Sequence, residues 1–134
     1  MGILVDTCFF IDLERGKKAD FSAAFKQEKL FISAISASEL LMGLHLAKNA
    51  TIALKRETFI DHILQHVGIL EFTHDIAKLH AKWAAALFKR NISIGAHDLI
   101  IAATALYHDF PVVTRNVREF KQLEGLQVIE YSLI

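Results

Sequence analysis

Four carboxylates, Asp6, Glu39, Asp98 and Glu119, stand where an α/β chain tends to place its chemistry. Asp6 directly ends the apolar run Ile3-Leu4-Val5, and Glu39 falls in the first turn of the helix expected after a second apolar run. Asp98 sits near the start of an apolar helix leading into a later strand, and Asn116 and Glu119 follow that strand. In an open parallel sheet, ligands bind beyond the carboxyl ends of the strands, where strand order reverses. A carboxylate at the mouth of a helix as apolar as the one after Asp98 is costly to bury unless a cation or a donor meets it. Several converging carboxylates repel one another unless a divalent ion neutralises them. Oxygen-only ligation, without paired Cys or His, selects Mg²⁺ or Mn²⁺ over Zn²⁺.

Each residue also has a plainer reading. Ser36-Ala37-Ser38-Glu39 matches a capping box, Asn116-Val117-Arg118-Glu119 offers a similar arrangement, and Asp6 can cap the first helix. A first-turn Asp98 also favours the helix dipole. The metal reading therefore rests on the set. His62 and His66 share a helix face but lack a third ligand or a His-Glu-x-x-His pattern, which favours a solvated face over a zinc site. The six glycines are isolated and no serine stands in a nucleophile elbow, which removes support for phosphate-loop and acyl-transfer chemistry. Cys8, the sole cysteine, excludes an internal disulfide and reads as a small residue in an apolar run.

The elements that must position these groups follow from periodicity. Ile3–Val5 is a continuous apolar run, the pattern of a strand buried on both faces. Cys8 to Leu13 and Ala19 to Phe25 carry helical spacing, interrupted by Arg15-Gly16-Lys17-Lys18. Leu30-Phe31-Ile32 is a second strand, followed by a helix from Ser36. Apolar residues at i, i+3 and i+4 predict a helix from Thr51 to His66, then a strand at Ile69–Phe72. Thr73 reads as the N-cap of a helix reaching Arg90, and Ala96–Tyr107 as a deeply buried helix. Pro111–Thr114 is a fourth strand, Val117–Leu123 a short helix and Leu126–Ile129 a last strand. Strands alternating with helices imply a parallel sheet covered on both faces.

With 134 residues, 53% of them hydrophobic, the chain suits one domain over 1–134 with a real core, and no linker or repeat divides it. Fifteen basic residues balance fifteen acidic ones, so any attraction for nucleic acid must be local. Arg115 and Arg118 are candidates for such a rim, though either also fits an ordinary solvated charge. No stretch reaches the roughly 20 apolar residues of a spanning helix, and Met1–Asp6 lacks the features of a signal peptide, so a cytoplasmic protein with no membrane attachment is expected.

Four stretches together resemble PIN-domain ribonucleases of the VapC toxin type. They are Leu4-Val5-Asp6-Thr7, Ser38-Glu39-Leu40-Leu41-Met42-Gly43, His97-Asp98-Leu99-Ile100-Ile101-Ala102-Ala103-Thr104-Ala105, and Val113-Thr114-Arg115-Asn116-Val117-Arg118-Glu119-Phe120. The resemblance implies a three-layer α/β/α sandwich around a parallel five-stranded sheet of order 3-2-1-4-5, usually in a homodimer. It places Asp6, Glu39 and Asp98 on an acidic metal site, with Thr7 and Thr114 as supporting hydroxyls. It further implies an RNA substrate and a VapB-like antitoxin. Two positions depart from the family pattern. Glu119 replaces the usual Asp, and its extra methylene implies a role at one remove from the ion. Cys8 replaces the usual Asn or Ser, which implies looser bonding around Asp6.

The chemistry expected is hydrolysis of an RNA phosphodiester by a metal-activated water, with Asp6 and Asp98 as ligands, Glu39 as ligand or water positioner and Glu119 as auxiliary, beside Asn116. Two other classes stay open at this point: an aspartate-nucleophile phosphohydrolase or phosphotransfer domain, although Asp6-Thr7-Cys8 lacks the second aspartate, and a catalytically silent module for RNA binding or dimerisation.

Overall fold

The computed structural model describes residues 2–20 and 28–133. Strand β1 (Gly2–Val5) is buried along its whole length and leads through Asp6 into helix α1 (Thr7–Glu14). A two-residue strand β2 (Ala19–Asp20) follows, then β3 (Lys29–Ser33), α2 (Ala34–His45), α3 (Ala50–His66) and β4 (Gly68–Leu70). The second half runs α4 (His74–Lys89), α5 (Ala96–His108), β5 (Val112–Thr114), α6 (Val117–Phe120), β6 (Val128–Glu130) and β7 (Ser132–Leu133).

The main sheet has the order β4-β3-β1-β5-β6 with every pairing parallel, which is the 3-2-1-4-5 order counted over its five strands. Side chains of a strand alternate between faces, and β1 divides accordingly. Ile3 and Val5 join Phe9, Phe10, Ile32, Ile60 and Ile63 under α1 and α3, whereas Leu4 joins Leu87, Leu99, Ile101 and Val112 under α4 and α5. A sheet with an apolar layer on each face gives the α/β/α sandwich. Phe31 on β3 fits only because its neighbours are Gly2 and Gly68; a Cβ on either glycine would come within 2.6 Å of the Phe31 ring.

The chain builds outward from β1 on one side through β3 and β4, then crosses to the other side through α4 and α5 to reach β5. The reversal lies at the carboxyl ends of β1 and β5, which are joined by the Asp6 amide donating to the Val113 carbonyl at 2.9 Å. The apolar helix α5 is buried as expected, with Ile101 to Ala105 all inaccessible to solvent.

Several local readings need correction. Ala19 and Asp20 form a strand antiparallel to β7, not the start of a helix, while the rest of that segment to Phe25 lies outside the described residues. Helix α6 ends at Phe120 and not Leu123, and the last sheet strand starts at Val128, two residues beyond Leu126. Thr73 caps α4 as expected, its hydroxyl accepting from the Ile76 amide. His62 and His66 lie exposed on α3. No helix among the described residues is long and apolar enough to cross a membrane.

Candidate active site

Where β1 and β5 end, a cleft of about 420 Å³ is lined by residues that include Asp6, Thr7, Glu39, Asp98, Arg115 and Asn116. Asp6 is 5% exposed, and both its oxygens are held. Oδ1 accepts from the Thr7 amide at 2.8 Å, so Asp6 does cap α1. Oδ2 accepts from the Thr114 hydroxyl at 2.7 Å and from the Cys8 thiol at 3.4 Å. Burial nevertheless outweighs these bonds and raises its pKa, with the Glu39 charge adding to the rise.

Glu39 is not the capping residue that its sequence context allows. Helix α2 starts three residues earlier, with Ser33 as N-cap accepting from the Ile35 amide, which places Glu39 in the second turn. Its Oε1 accepts from the Thr7 hydroxyl at 2.9 Å, and that hydroxyl lies 2.8 Å from the hydroxyl of buried Ser36. Its Oε2 faces His97 Nδ1 at 3.6 Å. Thr7 thus ties the start of α1 to the middle of α2.

Asp98 and Glu119 form a carboxyl pair. Burial first, then the hydrogen bond to Glu119 and the charges of Asp6, Glu119 and Glu39, push Asp98 up to about 7. Burial also acts to raise Glu119, but hydrogen bonds from Asp98, the Gly95 amide and Asn116 overcome it and hold Glu119 below its usual range. The proton of the pair therefore rests on Asp98. Asn116 precedes α6 without a capping bond; its amide nitrogen serves Asp98 Oδ2 at 3.3 Å and Glu119 Oε2. Glu119 hydrogen-bonds to Asp98 and is not among the residues that line the cleft.

Among the described residues no group of three or more His, Cys, Asp or Glu side chains is placed so as to hold a metal ion. The donor chemistry still fits a hard divalent cation. Asp6, Glu39 and Asp98 offer only carboxylate oxygens to one cleft and interact strongly enough to help hold a proton at near-neutral pH. A cation of charge two relieves the same repulsion.

Thr114 makes a direct test of how this site is held. It is fully buried, donates to Asp6 and accepts from the Asn116 amide at 2.9 Å. Thr114→Val keeps the shape and removes both bonds, so a stability loss of about 1–3 kcal/mol is expected. Thr114→Ser should restore most of it, as read by urea melts.

Arg115 reaches the cleft wall but commits part of its guanidinium to a residue that sequence reading passed over. Its Nε lies 2.9 Å from Asp12 Oδ2, and its Nη2 donates to Asp12 Oδ1 at 3.3 Å. Asp12 is 1% exposed and also accepts from the Tyr131 hydroxyl at 2.8 Å. The available signal was a lone carboxylate inside the apolar helix Cys8-Phe9-Phe10-Ile11-Asp12-Leu13. Arg118 is exposed on α6. Cys8 contacts Asp6 and Tyr131, and burial first, then the Asp6 charge, raises its pKa and keeps it a thiol.

Residues 3–126 match the family model for the PIN domain. The chain is 36% identical to a ribonuclease VapC of Rickettsia bellii, over 99% of this chain and 98% of that one. Its structure resembles that of VapBC2 from Rickettsia felis bound to a DNA fragment from the promoter, with TM-score 0.84 and 20% identity over 98% of this chain and 100% of that one. It also resembles VapBC-5 from Mycobacterium tuberculosis, a member of the VapBC family of toxin-antitoxin systems, with TM-score 0.77 and 22% identity over 96% of this chain and 98% of that one.

Proposed function

Because this chain belongs to the PIN-domain family, we propose that it is an endoribonuclease, the toxin of a toxin–antitoxin pair, that hydrolyses RNA phosphodiester bonds with Mg²⁺ or Mn²⁺. The observation that carries the reading is the convergence of Asp6, Glu39 and Asp98, from three separate elements, on one cleft at the point where strand order reverses. These three would hold the ion, with Glu119 supporting Asp98 through their hydrogen bond. What the ion supplies when bound is Lewis acidity, through a more acidic attacking water and neutralisation of charge at the phosphate.

The remaining work falls to the chain itself. Thr7 and Thr114 fix the oxygens of Glu39 and Asp6 that accept from them, leaving these carboxylates little freedom to turn away from the cleft. Asn116 holds Asp98 and Glu119 together by donating its side-chain amide to both carboxyl groups. Arg115, the one basic side chain among the described residues that line the cleft, meets the negative backbone of the substrate. The partner of this reading is a VapB-like antitoxin, in keeping with the VapBC complexes that the fold resembles. We place the protein in the cytoplasm as a homodimer.

The test is incubation of the purified protein with total cellular RNA and Mg²⁺ or Mn²⁺, followed by sequencing of the new ends. Cleavage at a small number of sites, stopped by EDTA and restored by excess Mn²⁺, is the expected result. RNA left intact, or cleavage indifferent to EDTA, overturns the proposal.

A further inference from the structure

We infer that Asp12, with Tyr131 behind it, is a positioning residue that locks the Arg115 guanidinium at the wall of the acidic cleft, where it binds a substrate phosphate next to the one attacked. This inference rests on the nuclease reading above and names the part of the chain that offsets the repulsion between an acidic cleft and a polyanion.

Asp12 lies on the same helix as Thr7, is buried, and is not among the residues that line the cleft. A buried carboxylate needs paired donors, and Asp12 has a complete set. Arg115 binds it side-on through Nε and Nη2, Tyr131 donates its hydroxyl, and Lys17 Nζ lies 3.8 Å from Oδ1. With one acid between two cations, the cluster keeps a net positive charge. Its rigidity comes from burial: Asp12 and Tyr131 are each 1% exposed, while Arg115 has 45% of its side chain in solvent. The guanidinium is thus anchored at one edge and open at the other.

A guanidinium carries five N–H donors in a fixed fork. Asp12 engages Nε and Nη2 and the Tyr131 hydroxyl also bonds the guanidinium, so the donors open to a ligand are those on its solvent-facing edge. Arg115 lines the same cleft as Asp6, Glu39 and Asp98. An arginine fixed in this way loses little side-chain entropy when it meets a phosphate. Backbone contacts of this kind set register and affinity without reading base identity. The tether is long-range, since Asp12 precedes Arg115 by 103 positions and Tyr131 comes from the end of the chain after β6.

The test compares wild type, Arg115→Gln, Asp12→Asn and the double variant on an oligoribonucleotide spanning a mapped cleavage site, across a salt series, with circular dichroism melts in parallel. Arg115→Gln is expected to raise KM on the order of tenfold with kcat within about twofold, and to reduce the salt slope of RNA binding by about one. Asp12→Asn should raise KM in the same direction, and the double variant should be no worse than Arg115→Gln alone, because Asp12 acts only through the guanidinium. Wild-type KM and salt slope in Arg115→Gln would overturn the inference. So would an Asp12→Asn penalty that persists undiminished in the Arg115→Gln background. If Asp12→Asn fails to fold, Tyr131→Phe replaces it in the same cycle with the same expected pattern and the same overturning result. A wild-type protein that cleaves no RNA refutes the nuclease reading itself, whereas an active wild type with an unshifted Arg115→Gln refutes this inference alone.

Discussion

Asp98→Asn is expected to lower RNA cleavage by about 10²–10³-fold or more while making the metal-free protein more stable above neutral pH. The two effects share one cause. Asp98 is the half-buried carboxylate surrounded by the charges of Asp6, Glu39 and Glu119, and its pKa of about 7 records the cost of ionising it there. Asparagine has the same outline, presents a neutral oxygen to the cleft, and can still donate to Glu119. It removes a ligand charge where a divalent ion would sit, and it removes the repulsion that opposes folding without the ion. With the electrostatic cost discounted for the part of Asp98 that faces solvent, the stability gain is about 1–2 kcal/mol at pH 8. Cleavage assays and denaturant melts at pH 8, in EDTA, read the two effects separately. Retained cleavage would remove Asp98 from the catalytic set, and unchanged stability would remove the repulsion argument.

The features legible in the sequence are those a few consecutive residues encode. Ile3-Leu4-Val5 followed by Asp6 is a buried strand ending in a carboxylate, and the structure has that strand at the centre of the sheet. The middle of α5, Leu99 and Ile101 to Ala105, is buried because the helix is apolar almost all round there. The start of α2 was not legible, because Ser33 and Ser36 are both plausible caps and nothing local tells them apart. The choice depends on β3 running directly into the helix without a loop, a matter of how Leu30 to Ser33 pair with β1 and β4. Strands β2 and β7 have two residues each, too few for any period to show. Asp12 was missed for a different reason. Its signal equals that of Asp98, a carboxylate in an apolar helix, but its partners Arg115 and Tyr131 lie more than a hundred positions away and only the folded chain brings them near. Conversely, Asp98 resists a purely structural account in both views. The helix it opens has Gly95 as N-cap with no side-chain cap bond, and the Asp98 carboxyl is spent on Glu119 and Asn116.

Mn²⁺ is expected to stabilise the protein strongly at pH 8 and hardly at all at pH 5. Without metal, Asp98 in the folded chain titrates near 7, far above the usual aspartate range that applies once the chain unfolds. Between those two values the folded state binds more protons than the unfolded one, so stability falls as pH rises from about 4 to about 7 and then levels off. Asp6, also raised by burial, contributes with the same sign. Glu119 has the opposite sign: its lowered pKa favours the folded state above the usual glutamate range, and that contribution disappears as pH drops through the lowered value. A cation can take the Asp98 oxygens only after the proton leaves, so apparent affinity should weaken about tenfold per pH unit below 7. At a concentration 100 times the Kd at pH 8, the ion adds about 2.7 kcal/mol, on the order of 10 °C in Tm for a chain of this size. The same concentration at pH 5 is close to the weakened Kd and adds only about 0.4 kcal/mol. Calorimetric scans with and without Mn²⁺ across this pH range provide the measurement, and Asp98→Asn should remove the part of the dependence centred near pH 7. A Tm shift of equal size at pH 5 and pH 8 would mean that the ion binds without displacing a proton, and therefore somewhere other than the Asp98 carboxyl.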